Sequence, residues 1–430
     1  MKKQLFRFAS MFAGLAIVVA ACGGAGTSPS ASQPAESVTP SEAAFPTANV
    51  ALTLWTKEGE ADGSLQFVQK LATDYNALHS NVTIEVVNKD VEALREDFQT
   101  ASLAGEAPEL LWTVADHIGP FTAADLILPL TDLIDRSKFV PAAADIVTVD
   151  GTLWGAPVSF GNQLMLYWNK DLAGADAPAD SDAWVAKAKE LTTGDQFGIV
   201  FNQTESFWLV PFLGGFGGRV FADDGVTPTL NTDAMKSALQ FLYDLKYTDK
   251  VAPSEADYNV ADGLFKDGKA PYIINGDWTL GAYADTFGDK LGVGPLPAMT
   301  GGEDPKPYIA GAFLMVSKAA ADDADTKAVV TDFLWFATST DNQVAMVTAL
   351  KRLPGDADAI ADPVVTGDDL LAGAAEAAQK GIPQPTNLEM RCVFDSMTAG
   401  VRDLFTGNSD VAGIANTMQS SAETCITQLG

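Results

Sequence analysis

Between Ala51 and Trp112 the apolar residues switch repeatedly between the period of a strand and the period of a helix, and few folds accept that alternation. Ala51-Leu52-Thr53-Leu54-Trp55 is a short apolar strand, and Leu65, Val68, Leu71, Tyr75 and Leu78 then recur at helical spacing. Val82, Ile84 and Val86 alternate as a second strand. Val91, Leu94 and Phe98 mark a second helix, and Pro108 leads into Leu110-Leu111-Trp112, a third strand. Strand, helix, strand, helix, strand in about 60 residues implies a parallel sheet with right-handed crossovers. Ligands of such sheets sit beyond the carboxyl ends of the strands. Two loops meet that condition: residues 56–60 after the first strand, and 113–119 after the third, which carries Asp116 and His117. Further along, Asp150-Gly151 sits at the centre of a hairpin, 164–168 is an apolar strand, and Met235, Leu239, Leu242 and Leu245 outline a helix. Val329, Phe333 and Phe336 outline another, and the α/β texture continues without a repeat.

The N-terminus reads as an export signal. Lys2, Lys3 and Arg7 precede an apolar stretch, 8–21, too short for an ordinary membrane span. It ends Val19-Ala20-Ala21-Cys22, which matches the bacterial lipobox and predicts cleavage after residue 21 and lipid attachment at Cys22. Several acyl chains would anchor the protein firmly where one alone is marginal. Residues 22–48 are rich in Gly, Ser, Pro, Ala and Thr, a composition that buries no core and reads as a tether with a span of roughly 25–30 Å. The remaining cysteines, Cys392 and Cys425, would lie in an oxidising compartment. They are either a disulfide closing a loop of about 34 residues, worth roughly 3.8 kcal/mol on the chain-entropy model, or two buried free thiols.

Composition removes several classes of function. With 27 Lys+Arg against 56 Asp+Glu, the chain of 430 residues carries a net charge of −29, the opposite of what phosphate backbones require. Apolar residues make up 47% and charged residues 19%, enough for a sizeable core. The two histidines, His79 and His117, leave little for histidine catalysis or a metal centre. Neither a phosphate loop nor a Gly-x-Ser-x-Gly elbow is present, and Gly214-Gly215-Phe216-Gly217-Gly218 fails the dinucleotide fingerprint, so tight packing or a flexible loop is its better reading. Asp257-Tyr258-Asn259 begins like a calcium loop, but Ala261 and Asp262 fall where a ligand and a glycine belong. Acidic pairs abound, and no pattern singles one out for glycosidase chemistry.

Seven short segments, in order, carry a resemblance. They are Leu52-Thr53-Leu54-Trp55, Gly105-Glu106-Ala107-Pro108-Glu109-Leu110, Asp125-Leu126-Ile127-Leu128-Pro129-Leu130, Gly155-Ala156-Pro157 and Tyr167-Trp168-Asn169-Lys170-Asp171-Leu172. Phe265-Lys266-Asp267-Gly268-Lys269-Ala270-Pro271-Tyr272 and Ile274-Asn275-Gly276-Asp277-Trp278 complete the set. Together they resemble the bacterial extracellular solute-binding proteins of the maltose/oligosaccharide type, the receptors of ABC importers, over nearly everything after Asn49. The resemblance implies a type II periplasmic-binding-protein-like α/β fold with two hinge-linked lobes and a ligand cleft between them. Crossings fall near 160–164, 309–313 and 350–354. The first lobe then holds residues 49–160 and 312–352, and the second 161–311 and 353–430. It also implies capture of a di- or oligosaccharide and no enzymatic chemistry. The chain would be a monomer, anchored on the extracytoplasmic face of the cell membrane and delivering its ligand to the permease. No cofactor, metal or nucleic acid is expected.

A sugar offers hydroxyls and apolar C–H faces, so its site pairs carboxylates and amides with aromatic rings. By similarity, Lys57, Glu58 and Glu60 match the family's first-lobe loop, and Asp116 its aspartate after the third strand. His117 stands where a maltose receptor has arginine, and Asn162 takes the hinge position of a ligand-binding glutamate. Phe207 and Trp208 match an aromatic pair, and Trp278 a stacking tryptophan. Leu280 replaces one family tryptophan and Thr398 stands near another, which makes Arg391 and Phe394 the candidate substitutes. Trp112 is either ligand-facing or packed at the end of its strand, while Trp55, Trp154, Trp184 and Trp335 read as core. Two rivals follow from the acidic loops: a polyamine in the same architecture, and a surface carbohydrate-active enzyme.

Overall fold

β1 (Val50–Thr56) lies at the centre of the N-terminal half, flanked in parallel by β2 (Val82–Asn88) and β3 (Leu110–Thr113), with Leu52 opposite Ile84 and Leu54 opposite Leu110. The computed structural model describes residues 45–60 and 62–429. The expected signal peptide, Cys22 and the tether up to residue 44 lie outside the described residues. The crossover helices α1 (Ser64–Leu78) and α2 (Val91–Ala104) bury the apolar stripe read from sequence: Leu65, Val68, Leu71 and Tyr75 in the first, Leu94 and Phe98 in the second. α2 starts where the Asp90 carboxylate accepts from the amides of Glu92 and Ala93, and it ends at Gly105 in the left-handed region.

Two later strands complete this first sheet. β12 (Phe313–Val316), numbered in the full strand order, runs antiparallel to β3, and β6 (Ala156–Pro157) pairs antiparallel with β12, giving the order β2-β1-β3-β12-β6. Between β3 and β6 a two-strand hairpin, β4 (Thr148–Val149) and β5 (Thr152–Leu153), turns at Asp150-Gly151. The second sheet has the order β10-β7-β9-β8, from β7 (Leu164–Asn169), β8 (Ile199–Val200), β9 (Tyr272–Gly276) and β10 (Leu291–Gly294). A short parallel pair, β11 (Tyr308–Ile309) with β13 (Ile382–Pro383), lies beside it. The molecule is a two-lobed α/β structure, one lobe on each sheet.

The chain crosses between sheets where backbone bridges join Ser159 to Pro354 and Gly161 to Ala310. Phe160 N–H donates to Leu353 O at 2.9 Å, and Ala310 N–H to Gly161 O at 2.7 Å. Gly161 and Asn162, at φ of +138° and +59°, turn the first crossing there. Residues 353–361, grouped by sequence with the second lobe, run along the first: Val140 N–H donates to Gly355 O, and Lys138 pairs with Asp356 at 2.6 Å. Asp356 also caps the following turn through Ala359 N–H, so this stretch is stapled down before the chain departs.

Three sequence features resolve locally. The 214–218 glycines mark close packing: a Cβ on Gly218 would stand 2.4 Å from Leu213 Cδ1. Cys392 and Cys425 are bridged, with Cα atoms 5.5 Å apart, joining the helix Glu389–Phe405 to the helix Val411–Ile426. Among the described residues no helix is long and apolar enough to cross a membrane.

Candidate functional site

The carboxyl end of β1 delivers Lys57 and Glu58 to the junction of the lobes. Glu58 N–H donates to Thr56 Oγ1 and the Asn88 side chain donates to Glu58 O, which fixes the turn. The Glu58 carboxylate is only 2% exposed. Its Oε1 accepts from the Trp112 indole at 3.0 Å and from Lys57 at 2.9 Å, and its Oε2 from Arg352 Nη1 at 2.9 Å. Burial alone would raise the Glu58 pKa, but Arg352 and then Lys57 outweigh it and bring it down to about 2. Arg352, 4% exposed, uses Nη2 to hold Asp62 at 3.0 Å and Ser64 Oγ at 2.6 Å. Glu60, two residues beyond Glu58, is exposed, and its carboxylate has no protein partner among the described residues.

The turn Ala115–His117 follows β3. His117 is fully buried: Nδ1 lies 2.7 Å from Thr113 Oγ1, and the ring packs edge-on to Phe121. Burial, helped by Lys57, lowers its pKa to about 3, so it is neutral at pH 7 and acts as a hydrogen-bonding group. Asp116 is half-buried; burial and then Glu92 push its pKa up to about 7. Across from it lies Tyr308, the buried first residue of β11, whose hydroxyl pKa is raised by burial and by the Asp116 charge.

β9 brings the second lobe's groups. Asp277 is buried over the crossing segment, where a Cβ on Gly161 would stand 2.3 Å from its Oδ2. Burial pushes its pKa up to about 6, opposed by Arg352, the Asn162 backbone amide and Lys57. Trp278 lies over Gly276, with its indole N–H on the Tyr258 hydroxyl at 2.9 Å. Phe207 stands 6.3 Å from Trp278 and 6.4 Å from Tyr308, and Phe394 stands 6.1 Å from Tyr308. Phe207, Trp278 and Phe394, half-buried, form one aromatic wall with the buried Tyr308.

The structure therefore gathers Lys57, Glu58, Trp112, Asp116 and His117 on one lobe, and Phe207, Trp278 and Phe394 on the other, with Asn162 between. Five expected site residues are placed differently. Glu58, Trp112 and His117 are buried, at 2%, 2% and 0% exposure, and bonded within the protein. Trp208 is 4% exposed and donates to Ile274 O at 2.9 Å, which makes it part of the second core. Arg391 stands at the rim, bound to Asp395 at 2.6 Å and to Glu96 on α2 at 3.3 Å, an ion pair that spans the lobes. Sequence reasoning missed Arg352, Asp277, Tyr308 and Tyr258. Asp277 lay inside a quoted motif, and Arg352 inside a recognised crossing; Tyr308 and Tyr258 had no local signal.

Comparison with known proteins places this arrangement. The model of the family described as bacterial extracellular solute-binding protein matches residues 70–373. A maltotriose-binding protein of Pyrococcus abyssi is 26% identical over 79% of this chain and 74% of its own length. A maltooligosaccharide ABC transporter solute-binding lipoprotein of Streptococcus pneumoniae is 22% identical over 85% of this chain and 86% of its own. The maltose/maltodextrin-binding domain of Bdellovibrio bacteriovorus, solved bound to maltotriose, superposes with a TM-score of 0.83 at 29% identity, covering 88% of this chain and all of that one.

Proposed function

Since the chain belongs to the bacterial extracellular solute-binding proteins, a family of receptors rather than enzymes, we propose that it captures a di- or oligosaccharide of the maltodextrin type and delivers it to the permease of an ABC importer. The observation that carries this reading is the pairing of an aromatic wall (Phe207, Trp278, Phe394) with polar groups of the facing lobe (Lys57 and Asp116, with Glu60 exposed on the same loop as Lys57). Rings take the C–H faces of a sugar while the polar groups take its hydroxyls. Relatives named for maltotriose and maltooligosaccharides support the substrate class, and a lipoprotein relative supports anchoring through Cys22. In this reading the two lobes are hinged at the three crossings, the receptor is a monomer, and its work is binding and closure.

A polyamine would need free anions in the cleft. Glu58 is already neutralised by Lys57 and Arg352 and burial favours the protonated form of Asp116, which leaves Glu60 for a polyamine to pair with, too little for its several charges. The test is a thermal-shift panel on the mature domain, residues 49–430, with maltose, maltotriose, longer maltodextrins, trehalose, cello- and xylo-oligosaccharides, and polyamines. A ligand at about 1,000 times its dissociation constant stabilises by roughly 4.1 kcal/mol, so maltotriose or a longer maltodextrin is expected to raise the melting temperature selectively. Stabilisation by polyamines alone would overturn the sugar assignment.

A further inference from the structure

Glu58 was read from sequence as a sugar ligand, yet each of its oxygens is already taken. Oε1 accepts from Trp112 and Lys57, Oε2 from Arg352, and the group is sealed from solvent. A carboxylate so saturated has little left to offer a hydroxyl. The group that saturates it comes from the hinge. Arg352 directly precedes Leu353, whose carbonyl accepts from Phe160 on the neighbouring crossing, and Lys351 before it takes the left-handed conformation that aims the guanidinium inward. The same guanidinium holds Asp62 and Ser64, which precede and open α1.

The second lobe answers with Asp277. Its carboxylate rests on the Gly161 backbone at the first crossing, and its charge acts on Arg352 and on Lys57 without forming a direct ion pair with either among the described residues. The two charges therefore occupy adjacent crossings, one fixing the binding loop of the first lobe and the other starting the aromatic wall at Trp278.

We propose that Arg352 is a positioning residue that couples the 57–63 loop to the hinge and, through Asp277, to the second lobe, and that Glu58 serves this network while Glu60 is the loop's free carboxylate for the ligand. The proposal rests on the receptor reading above. Removing Arg352 leaves Glu58 with Lys57 as its remaining cation and Asp62 with none among the described residues, so the loop must move. Removing the Asp277 charge leaves every Arg352 contact in place and disturbs the loop only through the hinge.

The experiment uses the full chain purified in detergent at about pH 8, maltotriose as probe, and the variants Arg352→Gln, Arg352→Lys, Asp277→Asn and the double Arg352→Gln/Asp277→Asn. Truncating one partner of a buried charge pair is costly, so Arg352→Gln is expected to lose about tenfold or more in affinity, with Arg352→Lys recovering most of it. Asp277→Asn is expected to weaken binding as well, and the double variant to bind no worse than the weaker single one. Losses that multiply, or wild-type affinity in Arg352→Gln, would overturn the proposal. Amide hydrogen exchange supplies the arm that needs no ligand. Asp277→Asn is expected to speed exchange in the 57–63 loop, whereas an effect confined to 276–280 would overturn the coupling. Should Arg352→Gln fail to fold, Arg352→Lys combined with Asp277→Asn completes the cycle with the same expectation. Wild-type protein that ignores maltotriose would refute the sugar assignment, and the exchange result would still decide the coupling.

Discussion

Three carboxylates at the lobe junction, Glu58 and Asp277 buried and Asp116 half-buried, titrate in opposite directions, and the sign of each sets what pH does. Asp116 and Asp277 have pKa values pushed up to about 7 and about 6 in the fold. The stability they contribute is complete below the ordinary aspartate value and is lost as pH rises through 6 to 7. Glu58 is held at about 2, so its contribution is present above the ordinary glutamate value and is lost only as pH falls towards 2. Melting temperatures are therefore expected to fall between about pH 4 and pH 7. Net-charge repulsion adds to that slope, but Asp116→Asn isolates the local part: the variant's decline should be shallower than wild type's, and equal slopes would refute it. Side chains with the same chemistry also divide by role. Trp278, with one face on Gly276 and the other towards the cleft, should lose roughly 1–3 kcal/mol of ligand binding as alanine, by analogy with base–aromatic stacking. Trp208→Ala should instead lose about 3–5 kcal/mol of folding stability, as buried aromatic truncations do, because its ring fills the second core. Titration calorimetry and chemical denaturation separate the two.

Elements built from contiguous sequence were legible, and those built from distant segments were not. β1, α1, β2, α2 and β3 follow from hydrophobic period alone, since each buries one stripe or face against its immediate neighbours. β12 adds to the same sheet from some 200 residues away, and nothing in Phe313–Val316 says which sheet receives it; the resemblance supplied that. The site divides the same way. Asp116 and Trp278 stand at strand exits and could be marked in advance, whereas Arg352 finds Glu58 across a separation of 294 residues that leaves no periodic trace. Phe207 and Trp208 show a finer limit: neighbours on one short turn point to different sides, one to the wall and one to the core. The paired helices at the C-terminus carry their own prediction. Their disulfide closes a loop of 34 residues (separation 33), so Cys392→Ser with Cys425→Ser should lower unfolding stability by about 2–4 kcal/mol. Maltotriose affinity should fall with it, because Cys392 stands on the helix that carries Phe394 to the aromatic wall; unchanged affinity would show that the helix holds this ring without the bridge.

At the scale of the whole molecule the question is what lets two lobes meet around a ligand, and two contacts at the rim bear on it. Arg391 pairs with Glu96 across the rim. Near it, Gly119 on α3 (Ile118–Ala123) faces the backbone of the segment leading to the 389–405 helix: a Cβ there would stand 2.4 Å from Thr386 O and 2.9 Å from Leu388 N. All three of its nearest neighbours belong to the opposite lobe, so a side chain at this position burdens the approach of the lobes and not the packing of its own. Gly119→Val should therefore fold with a melting temperature close to wild type's while being unable to reach the described separation. A ligand shifts a hinge only by its differential affinity for the two forms, and blocking one form removes the contacts made there. On saturating maltotriose, the radius of gyration from small-angle scattering is expected to contract in wild type and to stay constant in Gly119→Val, with affinity lower by about tenfold or more. Arg391→Ala removes an exposed ion pair from the same rim and should cost less than about 1 kcal/mol, a loss erased by high salt. If Gly119→Val contracts as wild type does, the lobes meet elsewhere, and the steric role of this glycine is refuted even if its affinity falls.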